Sequence, residues 1–263
     1  MMIRRTVYLY YVSKMQTIMK SEEVKKIYDT ALREKYKGTY EQERWFSSAV
    51  ARAGYDMTKS AIERFIHSLK ASPERYLEVG PGPGTWTKLF YERFGADAVF
   101  DLVDISEEML NESKKTFSGK SNVHYFNTDF TQFKSDMTYD LFFSSRAFEY
   151  FPDKDMFVAQ VAKLLNKNGM GLVITKTPKY KRQRMLGENT PAFHGGQISS
   201  EEMSILLKKH GFIDIHFYPV TLVFPVLRIA FLNRLLGNIF GRFGLNTVSN
   251  FFSESYCVVF TKA

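Results

Sequence analysis

A chain of 263 residues with 44% apolar side chains is long enough for one large α/β domain, or a domain carrying a lid, and can bury a sizeable core. Its single cysteine, Cys257, excludes an internal disulfide and a thiolate zinc cage, which suits a reducing, cytoplasmic setting. The net charge of +8 is compatible with nucleic acid, an anionic membrane or an acidic metabolite, and selects none of them.

The opening run MMIRRTVYLYYVSKMQ places arginines before aromatics and lacks an apolar core followed by small residues, so no cleaved leader is expected. No stretch reaches the roughly 18 apolar residues of a spanning helix. Residues 20–70 read as helical. Ser21, Glu22 and Glu23 favour a helix start at SEEVKKIYDTALREKY, and a second helical stretch over 46–69 stops before Ser72-Pro73. Residues 1–70 are therefore expected to form a helical lid and 71–263 the main domain.

From Tyr76 onward, short apolar strands alternate with amphipathic stretches. The run is YLEVG, TWTKLFYERFG, AVFDLVDI, SEEMLNESKKTF, VHYFNTDF, DLFFSS, DKDMFVAQVAKLLNKNG and MGLVITKT. Such alternation predicts βαβ units and a parallel sheet. A further helix, SSEEMSILLKKHG, and the strands IDIHFYPVTLVF and SESYCVVFTK complete a doubly wound α/β architecture, with a basic, apolar insertion at 225–250 before the last strand.

The loop Glu78-Val79-Gly80-Pro81-Gly82-Pro83-Gly84 follows a strand and opens a helix, where backbone can approach a ligand closely. A dinucleotide fingerprint needs its third glycine where Thr85 stands; here the spacing is G-x-G-x-G. S-adenosylmethionine carries an ammonium and a sulfonium beside one carboxylate, so its site calls for acids, carbonyls and a few amide donors. A plain tight turn remains a third reading of the same loop. Asp104 ends the second strand, where an acid can accept both ribose hydroxyls or merely cap the helix near Ser106. Asp129-Phe130 ends the third, where the acid can pair with an adenine amino group under the ring, although this is also a common strand end.

Taken in order, E-x-G-x-G-x-G, VDISEEML, NTDF, YDLFFSSRAFEYFPD and LLNKNGMGLVIT resemble the class I S-adenosylmethionine-dependent methyltransferases over residues 75–215, and most of all their small-molecule, quinone- and lipid-modifying branch. The resemblance implies a Rossmann-like seven-stranded sheet whose last strand runs antiparallel between the fifth and sixth, and it makes Cys257 a core residue. It implies S-adenosyl-L-methionine as cofactor. Glu78, Gly80, Gly82 and Gly84 would line its methionine half, Asp104 would bind the ribose, and Ile105, Asp129 and Phe130 would hold the adenine. Ser145 and Arg146 would border the sulfonium and the acceptor. Many relatives read L-E-H where this chain has Phe148-Glu149-Tyr150, so the family's histidine is missing and Tyr150 is left to line the pocket.

Methyl transfer from a sulfonium is an in-line displacement that mainly requires alignment and exclusion of water. A base is needed only for a hydroxyl acceptor of high pKa. His194, between Phe193 and Gly195-Gly196, and Tyr150 are the candidates for such work, and the other histidines form no metal-ligand spacing. Cys257 is misplaced for pyrimidine C5 chemistry. Ser144-Ser145-Arg146-Ala147 stands where an Asn/Asp-Pro-Pro-aromatic motif would mark nucleic-acid amine methylation. A small-molecule or lipid-like acceptor is the reading that remains, with no nucleic acid. The cationic stretch holding Lys176, Lys179, Lys181, Arg182 and Arg184 could meet an anionic substrate, and the insertion 225–250 could rest on a membrane surface. The N-terminal aromatics Tyr28, Tyr36, Tyr40 and Trp45 are expected to fold over the pocket. A nicotinamide-dependent oxidoreductase, or a binding protein without catalysis, is the alternative.

Overall fold

The computed structural model describes residues 20–36, 38–178, 196–223 and 229–263. The expected helices are present, in altered form. Helix α1 (Ser21–Thr30) begins where Glu23 accepts the Lys20 N–H at 2.9 Å. It does not run on to Tyr36 as an α-helix, because Ala31–Tyr36 and Gln42–Phe46 take the wider π turn. Helix α2 (Ala49–Ser68) starts at Ser48, whose hydroxyl accepts the Ala51 N–H.

Seven strands follow: β1 (Arg75–Val79), β2 (Val99–Asp104), β3 (Val123–Asn127), β4 (Tyr139–Ser145), β5 (Leu165–Lys176), β6 (Phe212–Pro219) and β7 (Ser255–Lys262). Their order in the sheet is β3-β2-β1-β4-β5-β7-β6, and β7 is antiparallel to both neighbours. Between them lie α3 (Thr87–Phe94), α4 (Glu107–Thr116), α5 (Lys154–Leu164), α6 (Ser200–Lys209), α7 (Ala230–Phe240) and α8 (Thr247–Phe252).

Strand alternation divides the core into two layers. Leu141 and Phe143 of β4 point to the side of Phe65 on α2 and Phe90 on α3, while Phe142 points to the side of Phe157 and Val161 on α5 and Leu207 on α6. Each such phenylalanine, fully buried, contributes about 1.5–3 kcal/mol of apolar burial. Cys257 sits in the first layer, its thiol pushed up to about 12 by burial, so it is a packing residue.

Two element ends differ from the sequence reading. The helix before β5 ends at Leu164 and not at Gly169, because Leu165 already pairs with Tyr139; the chain then turns through Asn168 at φ 63°. Strand β6 stops at Pro219, which has no N–H to offer the ladder, and Leu222 makes only an isolated bridge to Ser253. Within the insertion, α7 packs on α2 at Gly237, where a Cβ would come within 2.9 Å of Met57 Sδ. Arg234 fastens it by an ion pair to Asp56 at 2.9 Å.

Candidate active site

The strand order reverses direction between β1 and β4, and a crevice opens there beyond the carboxyl ends of the strands. Its cavity encloses about 910 Å³, open mouth included. Three turns form the floor: Gly80–Pro83 after β1, Asp104-Ile105 after β2, and Ser145-Arg146-Ala147 after β4.

The glycine turn is held by the Gly80 N–H, which donates to the Val103 carbonyl at 2.9 Å. Gly80 has φ 72°, and a Cβ there would meet Ala147 Cβ at 2.5 Å, so the turn lies directly against the loop after β4. Gly82, at φ 57°, has its nearest neighbour 3.8 Å from the Cβ position, leaving backbone open to the cavity. Gly84 is different. It is not in the cavity wall, and a Cβ on it would lie 2.6 Å from the Phe117 ring, so it serves helix packing.

Glu78 also stands behind the wall. Its Oε2 accepts hydroxyls from Tyr76 and Thr87, each at 2.7 Å, and burial pushes the carboxyl up to about 7 against those two bonds. Asp104 faces the cavity. Its Oδ1 accepts the Ser106 N–H at 2.9 Å and its Oδ2 accepts the Gly82 N–H at 3.4 Å, joining the first two turns. The cap of α4 is Ser106 itself, whose hydroxyl accepts the Met109 N–H. Burial, with Asp29 nearby, pushes Asp104 up to about 6.

Asp129 caps the short turn Phe130–Gln132: its Oδ1 accepts the Thr131 N–H and hydroxyl, and its Oδ2 accepts the Ser21 hydroxyl at 2.6 Å. Phe130 and Ile105 complete that end of the wall. Ser145 is 9% exposed, and its Oγ has no hydrogen-bond partner among the described residues. A buried orphan hydroxyl on the wall is where a polar ligand group is wanted. Of the expected site residues, Gly80, Gly82, Asp104, Ile105, Asp129, Phe130, Ser145 and Tyr150 thus share one cavity, and Glu78 and Gly84 support it from behind. His194, with Lys179, Lys181, Arg182 and Arg184, lies outside the described residues.

Helix α1 crosses the mouth on three hydrogen bonds: Ser21 to Asp129, Ser106 to Asp29 at 2.6 Å, and Tyr28 to Tyr150 at 3.2 Å. Burial first, and then Glu149, push the Tyr150 phenol up to about 12, so at neutral pH it stays protonated and is a poor base. Arg44 and Trp45 from the second π turn, with Trp86, close the remaining wall. Sequence reading passed over Ser21 and Arg44. The available signal was Tyr40, Arg44 and Trp45, a guanidinium set among rings at helical spacing; in the structure it hydrogen-bonds the Tyr40 hydroxyl and lies over both rings.

Residues 77–169 match the family model described as "Methyltransferase domain". The match covers 93 of the 263 residues and supports the resemblance to the class I S-adenosylmethionine-dependent methyltransferases. This decides between the cofactor classes that the glycine loop left open, and the turn, the strand-end acids and the orphan Ser145 hydroxyl fit that donor. Among curated relatives, the chain is 29% identical over 108 residues to malonyl-[acyl-carrier protein] O-methyltransferase 1 of Ilyobacter polytropus, covering 41% of this chain and 40% of that one. It is 29% identical over 109 residues to trans-aconitate 2-methyltransferase of Rhizobium etli, covering 41% of each. The chain thus spans about two fifths of the length of these relatives. A phosphoethanolamine N-methyltransferase 2 of Haemonchus contortus, solved with S-adenosylhomocysteine, shares the fold at TM-score 0.61 and 16% identity, over 89% of this chain and 59% of that one.

Proposed function

We propose that this protein transfers the methyl group of S-adenosylmethionine to a small-molecule or lipid-like acceptor. The observation that carries this is the crevice where Gly82, Asp104, Asp129 and the orphan Ser145 hydroxyl converge. In this reading Gly80 and Gly82 bring backbone against the methionine portion, while Glu78 and Gly84 hold the turn from behind. Asp104 takes the ribose hydroxyls, Ile105 and Phe130 cover the adenine, Asp129 receives its amino group, and Ser145 borders the sulfonium. The bound sulfonium supplies a leaving group already activated by its charge. The protein's share is alignment and dryness, for which residues 1–70 act as a lid on the 71–263 domain. Tyr150 orients the acceptor, and His194 is the base for an acceptor that must lose a proton. In calorimetry, S-adenosylmethionine and S-adenosylhomocysteine are expected to bind in the micromolar range and NAD not at all. Binding of NAD alone would reject the proposal.

A peripheral contact with an anionic membrane through 225–250 is supported by the outer face of α7 and the turn after it. Phe231 is 70% and Phe243 62% exposed, beside the exposed Ile229, Leu235 and Ile239. The chain has no acidic residue between Asp214 and Glu254, while Arg234 and Arg242 lie in that stretch. No helix among the described residues is long and apolar enough to cross a membrane. Flotation with phosphatidylglycerol-rich vesicles should carry the protein upward, and the double variant Phe231→Ser/Leu235→Ser should stay below. A wild-type protein that never co-migrates ends this reading.

A further inference from the structure

The cavity is electrically divided. Its lining carboxylates, Asp104 and Asp129, stand at the ends of β2 and β3, on the side assigned to the adenosine. The opposite side holds two guanidiniums, Arg44 and Arg146, among the phenols of Tyr28, Tyr40 and Tyr150.

Arg146 follows β4 at φ 64°, a conformation that costs a residue with a side chain about 1–2 kcal/mol. Its N–H is fastened to the Ile174 carbonyl at 2.8 Å, so the turn that presents the side chain is fixed. Glu149 Oε1 accepts from its Nε at 2.9 Å and lies 2.9 Å from Nη2 in an ion pair, on one edge of the guanidinium; Nη1 has no described partner. The second oxygen of Glu149 is engaged by the Thr175 hydroxyl and the Lys176 N–H. Arg44 has no acid partner among the described residues: only Tyr40 accepts from it, and its other N–H groups are not buried away from the cavity. The two guanidiniums are near enough to repel. Burial, and then Arg146 and Arg44, lower the Lys176 amine below its usual value.

A recess of this kind attracts an anion, and it contains no described side chain suited to removing a proton at neutral pH. Burial pushes the Tyr150 phenol up to about 12 and holds Tyr28 well above the ordinary phenol range, and no histidine lines the described wall. An acceptor already ionised at neutral pH meets both conditions, and a carboxylic acid of pKa about 4 is such an acceptor.

We propose that the methyl acceptor presents a carboxylate to Arg44 and to the free edge of Arg146, and that the product is a methyl ester. This rests on the methyltransferase reading above and narrows it. In the transfer, a lone pair on the carboxylate oxygen forms the O–C bond as the C–S bond breaks and its electron pair passes to sulfur. The sulfonium becomes a neutral thioether, and no proton moves.

The first test uses the full chain with a methyl-tritiated donor and a lipid and metabolite extract, followed by mild alkali. Methyl esters release the label as volatile methanol, whereas methyl ethers, methylamines and C-methyl products keep it. Volatile label is expected, and alkali-stable label would overturn the proposal. The second is calorimetry of the S-adenosylhomocysteine-loaded protein with decanoate, cinnamate and glutarate, each beside its amide. At least one carboxylate should bind about tenfold or more tighter than its amide, and Arg44→Gln should erase that preference while leaving S-adenosylhomocysteine affinity within about threefold. Arg44→Lys, which keeps the charge, should fold and retain part of the preference. If no carboxylate is preferred, the proposal fails while the methyltransferase reading stands. If Arg44→Gln weakens S-adenosylhomocysteine and spares the carboxylate, Arg44 belongs to the donor and the proposed pair is wrong. Failure of S-adenosylhomocysteine to bind the wild type would remove the underlying reading first.

Discussion

Asp104→Asn should weaken S-adenosylmethionine by about 100-fold, on the order of 2.7 kcal/mol, with little change in the folded content of the protein. The carboxylate faces the cavity between the Gly82 and Ser106 N–H groups, and asparagine keeps one acceptor for those turns while losing the charge that strengthens a bond to a ribose hydroxyl. Its titration adds a second signature. With the carboxyl near 6, donor affinity should be full above pH 7 and fall as pH drops through 6, and the variant should lose that acid limb. Stability without donor should run the other way. A carboxyl raised above its unfolded value of about 3.9 stabilises the fold while protonated, and that contribution disappears as pH rises through 6, with Glu78 adding the same trend near 7. Opposite slopes of binding and of donor-free melting temperature are therefore expected. Equal affinity of wild type and variant across the range would remove Asp104 from the ribose.

Glu149→Ala should be the most damaging substitution to the fold. The side chain is fully buried, and it is the carboxylate that neutralises Arg146. Burial by itself would raise its pKa; the guanidinium, with the Lys176 N–H and the Thr175 hydroxyl, holds it below the usual range. Removing it leaves a guanidinium uncompensated at the end of β4, a loss of about 3–5 kcal/mol out of a total stability of about 5–15. At this chain length the melting temperature should fall by roughly 10 °C. Glu149→Gln, which keeps the Thr175 and Lys176 contacts, should fall less. A melting temperature unmoved by the alanine would mean that Arg146 finds its partner elsewhere.

The parts of the site that could be read from the chain alone are those fixed by strand ends. Asp104 and Asp129 terminate apolar strands, and a parallel sheet sends consecutive strand ends to the same edge, so their convergence follows from order alone. The place of β7, antiparallel between β5 and β6, does not follow from that logic and was implied by the family resemblance. What depends on how one element lies across another was not readable. The position of Glu78 behind the turn is set by Tyr76 and Thr87, whose hydroxyls draw it inward, and Gly84 belongs to the Phe117 ring of a later segment. Arg44 and Ser21 reach the cavity only because α1 and the π turns fold back over the sheet, more than a hundred residues away in sequence for Ser21 and Asp129. The glycine spacing excluded one nucleotide fingerprint but could not assign separate duties to its three members.

The three bonds that hold α1 over the crevice occupy groups at or beside those that the proposed reading gives to the adenosine and the acceptor. The oxygen of Asp129 assigned to the adenine is held by Ser21, and the serine next to the ribose acid is tied to Asp29. On that reading, a bound nucleoside replaces those helix contacts with its own. On the proposed reading, donor association is expected to run below the collision limit and to quicken when Ser21→Ala removes one of those bonds, which stopped-flow binding would check.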